Sequence, residues 1–215
     1  MAFIVIIILD ILIGSNLTAE LDEEIDTGDA VIAVLVGYIF ELVLLLFAVV
    51  LWMFRRTRLL RRLLFVLVAL VTFGLLVNVT GLVLSLEDYP NDIAYDLLRD
   101  AGLLWLDNVL VFSIWYWLID AGGPERRGAR TEPKPSDFAF PQQTSVIPGW
   151  EAWRSSYFDY LFLAFSHSTA FSPTDTVILS KKAKLLIMVQ AGISLVILAM
   201  IAARAINIIQ SGPVG

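Results

Sequence analysis

The sequence has no cysteine and a single histidine, His167. The missing cysteine excludes disulfides, thiolate metal ligands, a cysteine nucleophile and c-type haem attachment. With one imidazole, a histidine-rich metal centre is excluded as well. Charge is also scarce: Asp, Glu, Lys and Arg make up 17% of the 215 residues, and 58% are apolar. A soluble domain averages about 25% charged and about 45–50% apolar residues. The mean hydropathy of +0.79 agrees with that contrast. No basic run is interleaved with aromatics in a polar stretch, so nucleic acid is not expected as a partner. A hydrolase needs a nucleophile activated by a positioned base, and the only histidine stands among serines with no glycine-rich elbow. No catalytic residue, metal site, cofactor or enzymatic activity is therefore expected. The class that remains is an integral membrane protein whose first partner is the lipid bilayer.

Crossing roughly 30 Å of hydrocarbon takes about 20 mostly apolar residues in a helix, because a spanning segment must satisfy its own backbone hydrogen bonds. Residues 31–54, 63–86, 101–119 and 183–209 meet that requirement. Residues 2–17 read as a first span interrupted by Asp10, without the basic start of a cleaved signal peptide. Residues 157–171 (YFDYLFLAFSHSTAF) are aromatic-rich and too short to cross comfortably, the signature of a re-entrant or short half-helix. The expected fold is thus an all-α membrane protein of about five transmembrane helices plus that short segment. Its parts are a helical bundle over 1–119, a polar Pro/Gly-rich loop over 120–156, and a helix-turn-helix over 157–209. No internal repeat supports an inverted-repeat transporter.

The net charge of −6 hides blocks of one sign. Arg55, Arg56, Arg58, Arg61 and Arg62 occupy one tight turn without an acid among them, which the positive-inside rule places in the cytoplasm. The acidic stretches around Asp22–Asp29 and Glu87–Asp100 then fall outside. Counting onward, residues 120–156, with five basic and five acidic side chains, return to the cytoplasm.

The order of elements over residues 159–209 resembles the pore helix, selectivity filter and inner helix of the two-helix potassium-channel family. A short aromatic helix, a Ser/Thr turn ending in an acid, a basic linker and a long helix follow one another there. The family's Thr-Thr-Val-Gly-Tyr-Gly-Asp filter would fall on Thr169, Ala170, Phe171, Ser172, Pro173, Thr174 and Asp175, of which only the first Thr and the Asp match. Filter carbonyls strip an ion of its hydration shell, and the filter glycines allow backbone conformations that a Cβ resists. Ser172 and Thr174 replace both glycines here, and Pro173 fixes its own φ. The resemblance therefore implies a pore lined by hydroxyls, with little selectivity among small monovalent ions. Its lining would be Ser166, His167, Ser168 and Thr169 with the turn residues, and Asp175 would stand at its mouth. One chain offers one such hairpin, so a homo-oligomer is implied, a tetramer if the likeness is full. A channel pore loop enters from outside, whereas the arginine turn places the preceding loop inside, so the side from which residues 157–175 enter stays open.

The same half also resembles a family of uncharacterised bacterial inner-membrane proteins. The shared features are an aromatic DYL(Y/F)xxF helix, a turn with a (Ser/Thr)-Asp pair and a closing helix ending near Asn, here Asp159 to Phe165, Thr174-Asp175 and Asn207. The upstream WYWLIDAGGP and DFAFPQ stretches fit this family better than a channel. The resemblance implies a multi-pass protein of the bacterial inner membrane and no particular activity. A non-permeating scaffold or partner subunit is the alternative to the pore.

Ionisable groups within a span cost about 2.5–3.5 kcal/mol near its centre. Glu41 reads either as an ion or proton relay or as the partner of Arg204, the arginine of the last span. Asp107 reads as an end residue reaching back to water from about one and a half turns inside its helix. The group Trp105, Trp115, Tyr116 and Trp117, and the pair Trp150 and Trp153, read as interfacial anchors. Gln190 reads as a spanning amide that joins helices.

Overall fold

The computed structural model describes residues 6, 43, 46, 57–88, 94–128, 136–145, 147–169 and 175–210. Its elements run in the order α1 (Thr57–Asp88), α2 (Ala94–Ile119), a 3₁₀ turn (Asp120–Gly122), α3 (Pro124–Gly128), β1 (Phe138–Ala139), α4 (Pro141–Thr144), α5 (Tyr157–Thr169), β2 (Val177–Ile178) and α6 (Lys181–Gln210). Three helices among the described residues are long and apolar enough to cross a membrane: Leu59–Leu84, Leu98–Gly122 and Lys181–Ala203. Apart from Ile6, Val43 and Leu46, which are helical, the expected spans 2–17 and 31–54 lie outside the described residues.

The chain divides into two compact units, Met1–Asp107 with Ile197–Gly215, and Asn108–Val196. In the first, α1 buries Leu67 and then Val68, Val71, Leu75, Val79 and Leu82, the last five spaced three to four apart, and exposes Val66, Phe73, Val77 and Leu84. Both faces are apolar, so the pattern is the one a helix shows when its outer face meets acyl chains rather than water. Asp107 departs from expectation: α2 starts at Ala94, which sets Asp107 about three and a half turns into the helix rather than near its end. Its side chain is fully buried and does not reach the surface.

In the second unit, the end of α2 packs with α5 and the first half of α6. Ser156 starts α5: its N–H (2.7 Å) and its hydroxyl (2.8 Å) both donate to Asp159 Oδ2, as in a capping box. Ser180 caps α6, accepting the Ala183 N–H on its hydroxyl at 3.2 Å. At 13 residues, α5 is about 20 Å long, less than the hydrocarbon thickness. Both helices begin at the same end of the unit. Tyr160, in the first turn of α5, bonds the Asp120 side chain, and Lys182, in the first turn of α6, bonds the Ile119 carbonyl. Ser168, near the end of α5, meets Gln190, well inside α6. The two helices therefore run in the same direction, and Val177–Leu179, paired beside Asp137–Ala139, mark the chain's return to the end where both start.

That return is fixed by a two-stranded antiparallel ladder, Phe138 opposite Ile178 and Ala139 opposite Val177. The polar connection after α2 is thus more ordered than a plain loop. It holds β1 and two short helices, and it places Phe138 and Phe140 in the core. A ring relay runs Tyr116–Phe138 (5.3 Å), Phe138–Tyr160 (6.2 Å) and Phe140–Tyr160 (5.4 Å), within the spacing at which tilted aromatic pairs attract.

Candidate functional site

α2 stops at a run of left-handed residues, Ala121 (φ 50°), Gly122 (φ 85°) and Gly123 (φ 100°). Glycine suits the latter two, whereas Ala121 pays the steric cost of a Cβ there. A hydrogen bond holds it: the Ala121 N–H donates to Asp137 Oδ2 at 3.1 Å. The turn swings the Asp120 carboxylate inward, where it is fully buried. Its Oδ1 accepts from the Ser136 hydroxyl (2.6 Å) and from the N–H groups of Asp137 (2.8 Å) and Phe138 (3.3 Å). Its Oδ2 accepts from the Tyr160 phenol at 2.6 Å. Arg127 Nη1 donates to the carbonyls of Trp117 (2.9 Å) and Asp120 (2.8 Å) and stands 4.0 Å from Oδ2. The Arg127 guanidinium also lies over the Tyr160 ring, 5.0 Å from its centre, a cation–π distance.

Asp137 completes the arrangement in mirror fashion. Lys182 Nζ sits 2.9 Å from its carboxylate, and its backbone carbonyl accepts the Leu179 N–H at 2.9 Å. Two acids and two bases thus tie the end of α2, the β1 segment, α5 and the start of α6 together. Burial first, and the Asp120 charge second, push the Tyr160 phenol well above the ordinary tyrosine value, so the phenol stays a donor to Asp120.

A second polar group lies deeper in the unit. Gln190 Nε2 donates to the Ala164 carbonyl (2.9 Å) and to the Ser168 hydroxyl (2.7 Å), and its Oε1 accepts the Tyr116 phenol. Asn108 Nδ2 donates to the Ser194 hydroxyl at 2.7 Å. Gln190 thus joins three helices, as a spanning amide should. Tyr116 differs from the reading as an interfacial anchor, because it is wholly buried. Trp117 meets Tyr157 edge-on at 6.3 Å and Trp153 packs on Phe140 at 5.6 Å, while Trp150 is exposed.

The expected pore-lining residues are placed as follows. Ser166 and Ser168 are buried; Ser166 donates to the Phe162 carbonyl (2.8 Å), and His167 Nδ1 lies 2.8 Å from the Leu163 carbonyl. Thr169 donates to the Ser166 carbonyl at 3.2 Å. Asp175 is exposed. Ala170, Phe171, Ser172, Pro173 and Thr174 lie outside the described residues, as does Glu41, and Arg204 falls in α6 with its side chain outside the description. The face of α5 turned outward is Phe158, Phe162 and Phe165, exposed by 72%, 60% and 47%.

Beside Asp120 lies a cavity of about 240 Å³ lined by Trp117, Pro124, Arg127, Ser136, Gln143, Arg154 and Ser155. Among the described residues, no three of His, Asp and Glu gather as a metal-binding group. Sequence reasoning passed over Asp120, Arg127, Ser136, Asp137 and Tyr160 as candidates. The available signal was the pair of aspartates in WYWLIDAGGP and DFAFPQ, each set beside bulky apolar residues: Asp120 closes the apolar run 101–119, and Asp137 opens DFAF within a polar stretch. No protein-family model, no curated protein and no solved structure matches the chain.

Proposed function

We propose that this chain is a multi-pass protein of a bacterial inner membrane that acts as a non-permeating scaffold or partner subunit, without catalysis of its own. In this reading α5 is a re-entrant segment that enters at the cytoplasmic end, and the Asp120–Asp137 cluster clamps its first turn to α2 and α6. The observation that carries this reading is the orientation of α5. Ser166 and Ser168 are turned into the chain's own core, and the outward face is a stripe of three phenylalanines. Such a face suits acyl chains or an apolar partner helix, not hydrated ions. Entry from the cytoplasm keeps Lys181, Lys182 and Lys184 on the side that the positive-inside rule favours.

A second reading, permeation of small monovalent ions through a homo-oligomeric pore, is favoured by one feature: a 13-residue helix precedes a 30-residue helix that begins at the same end. Flux assays on liposomes carrying the purified, inserted protein separate the two. Silence under potassium, sodium and proton gradients is the expected result. Currents that Asp175→Ala or His167→Ala alters would overturn the scaffold reading in favour of the pore.

A further inference from the structure

We propose that the cavity beside Asp120 is a binding site for a phosphate-bearing anion, supplied either by a phospholipid headgroup or by free phosphate. The proposal rests on the cavity itself and goes beyond the scaffold reading, which it neither needs nor alters.

Its volume of about 240 Å³ is more than ten times the roughly 10–15 Å³ that admits one water. It is smaller than the roughly 300–1,000 Å³ of sites that enclose a whole small organic ligand. A tetrahedral oxyanion fits inside; the rest of a larger molecule would remain outside.

The lining selects charge. Arg127 and Arg154 both face the cavity and none of the lining side chains is acidic. The Asp120 carboxylate beside it is taken up by Ser136, two backbone N–H groups and Tyr160. Arg127 gives Nη1 to the carbonyls of Trp117 and Asp120. Among the described residues no partner takes its Nε or Nη2 hydrogens, which leaves them for a ligand on a guanidinium fixed by those bonds and by the Tyr160 ring. That is the preorganised fork that suits phosphate oxygens. Arg154 adds a second cation from the opposite segment, and the Gln143 amide adds neutral donors. Trp117 on the wall, with exposed Trp150 four positions before Arg154, suits the level of lipid headgroups. Basic pockets at that level take anionic headgroups.

The test is the unfolding midpoint of the full chain, purified in a maltoside detergent at fixed ionic strength. The added probes are inorganic phosphate, dioctanoyl phosphatidylglycerol and, as the net-neutral control, dioctanoyl phosphatidylcholine. A ligand of the folded state raises the midpoint with concentration. Because Arg127 also holds the turn together, the informative variant is Arg154→Gln at an exposed position, with Lys181→Gln as a cation outside the cavity. The expected result is a rise with phosphatidylglycerol or phosphate, weakened about tenfold in Arg154→Gln and unchanged in Lys181→Gln. A rise with the lipid alone assigns the headgroup, and a rise with phosphate assigns the free anion. No rise with either probe in a cooperatively unfolding protein overturns the proposal. So does an equal response in Arg154→Gln and the unaltered chain, or an equal weakening in both variants.

Discussion

The Tyr160 phenol donates to the Asp120 carboxylate at 2.6 Å across forty positions of sequence, joining the first turn of α5 to the residue that follows α2. Both groups are buried, so neither finds water as a substitute partner, and the cost of removing one falls on the other. The first turn of α5 is held at the end of α2 by this bond and by the ring packing around it.

Asp120→Ala leaves the Asp137 and Phe138 N–H groups and the Ser136 hydroxyl without their acceptor, removes the charge 4.0 Å from Arg127 Nη1, and leaves the Tyr160 phenol with the Ser155 hydroxyl alone. A loss of about 3–5 kcal/mol in stability is expected, the scale for breaking a buried charged network. Chemical or thermal unfolding of the detergent-purified protein measures it. Lys182→Met provides the contrast. The lysine side chain is 58% exposed, and water screens such a pair, so its loss should cost under about 1 kcal/mol. Equal losses in the two variants would contradict the central place given to Asp120.

The raised Tyr160 phenol predicts a particular alkaline behaviour. A group whose folded value lies above its unfolded value contributes stability that is complete below about pH 10, the ordinary tyrosine value, and that is lost as pH rises through the folded value. Stability should therefore fall above about pH 10 more steeply in the unaltered chain than in Tyr160→Phe. Parallel slopes would remove this phenol from the account.

Gln190→Leu replaces an amide that serves Tyr116, Ala164 and Ser168 at once. A loss of about 1–2 kcal/mol is expected, small because groups in a membrane find substitute partners on unfolding. A double-mutant cycle with Ser168→Ala should give a coupling of about 0.5–1.5 kcal/mol. Additive losses would show that the 2.7 Å contact carries no energy.

The long helices were legible because their signal is local. An apolar run over residues 63–86 became the Leu59–Leu84 segment, and residues 183–209 became α6. The short helix read over 157–171 is α5, residues 157–169. The start of α2 was misjudged because residues 94–100 carry three charges, Asp96, Arg99 and Asp100, and composition argued for a loop where the helix had already begun. The Asp120 cluster was illegible for a different reason. Its acceptors and donors come from residues up to 63 positions apart, and an aspartate that will be buried looks the same in sequence as one bathed in water. The hydroxyls of α5 were legible as a polar group but not as an inward-facing one, because Phe158, Phe162 and Phe165 define the outward stripe only once the neighbouring helices are in place.

The central claim, that the hydroxyl face of α5 is sealed within the chain, is most directly tested by aqueous thiol labelling. The chain has no cysteine of its own, so single cysteines report cleanly. In intact membranes opened to both faces, Ser168→Cys should resist a charged maleimide while Asp175→Cys reacts, and both should react once the protein is unfolded in dodecyl sulfate. Labelling of Ser168→Cys in the membrane at the rate of Asp175→Cys would contradict the account and place that face on a water-filled path.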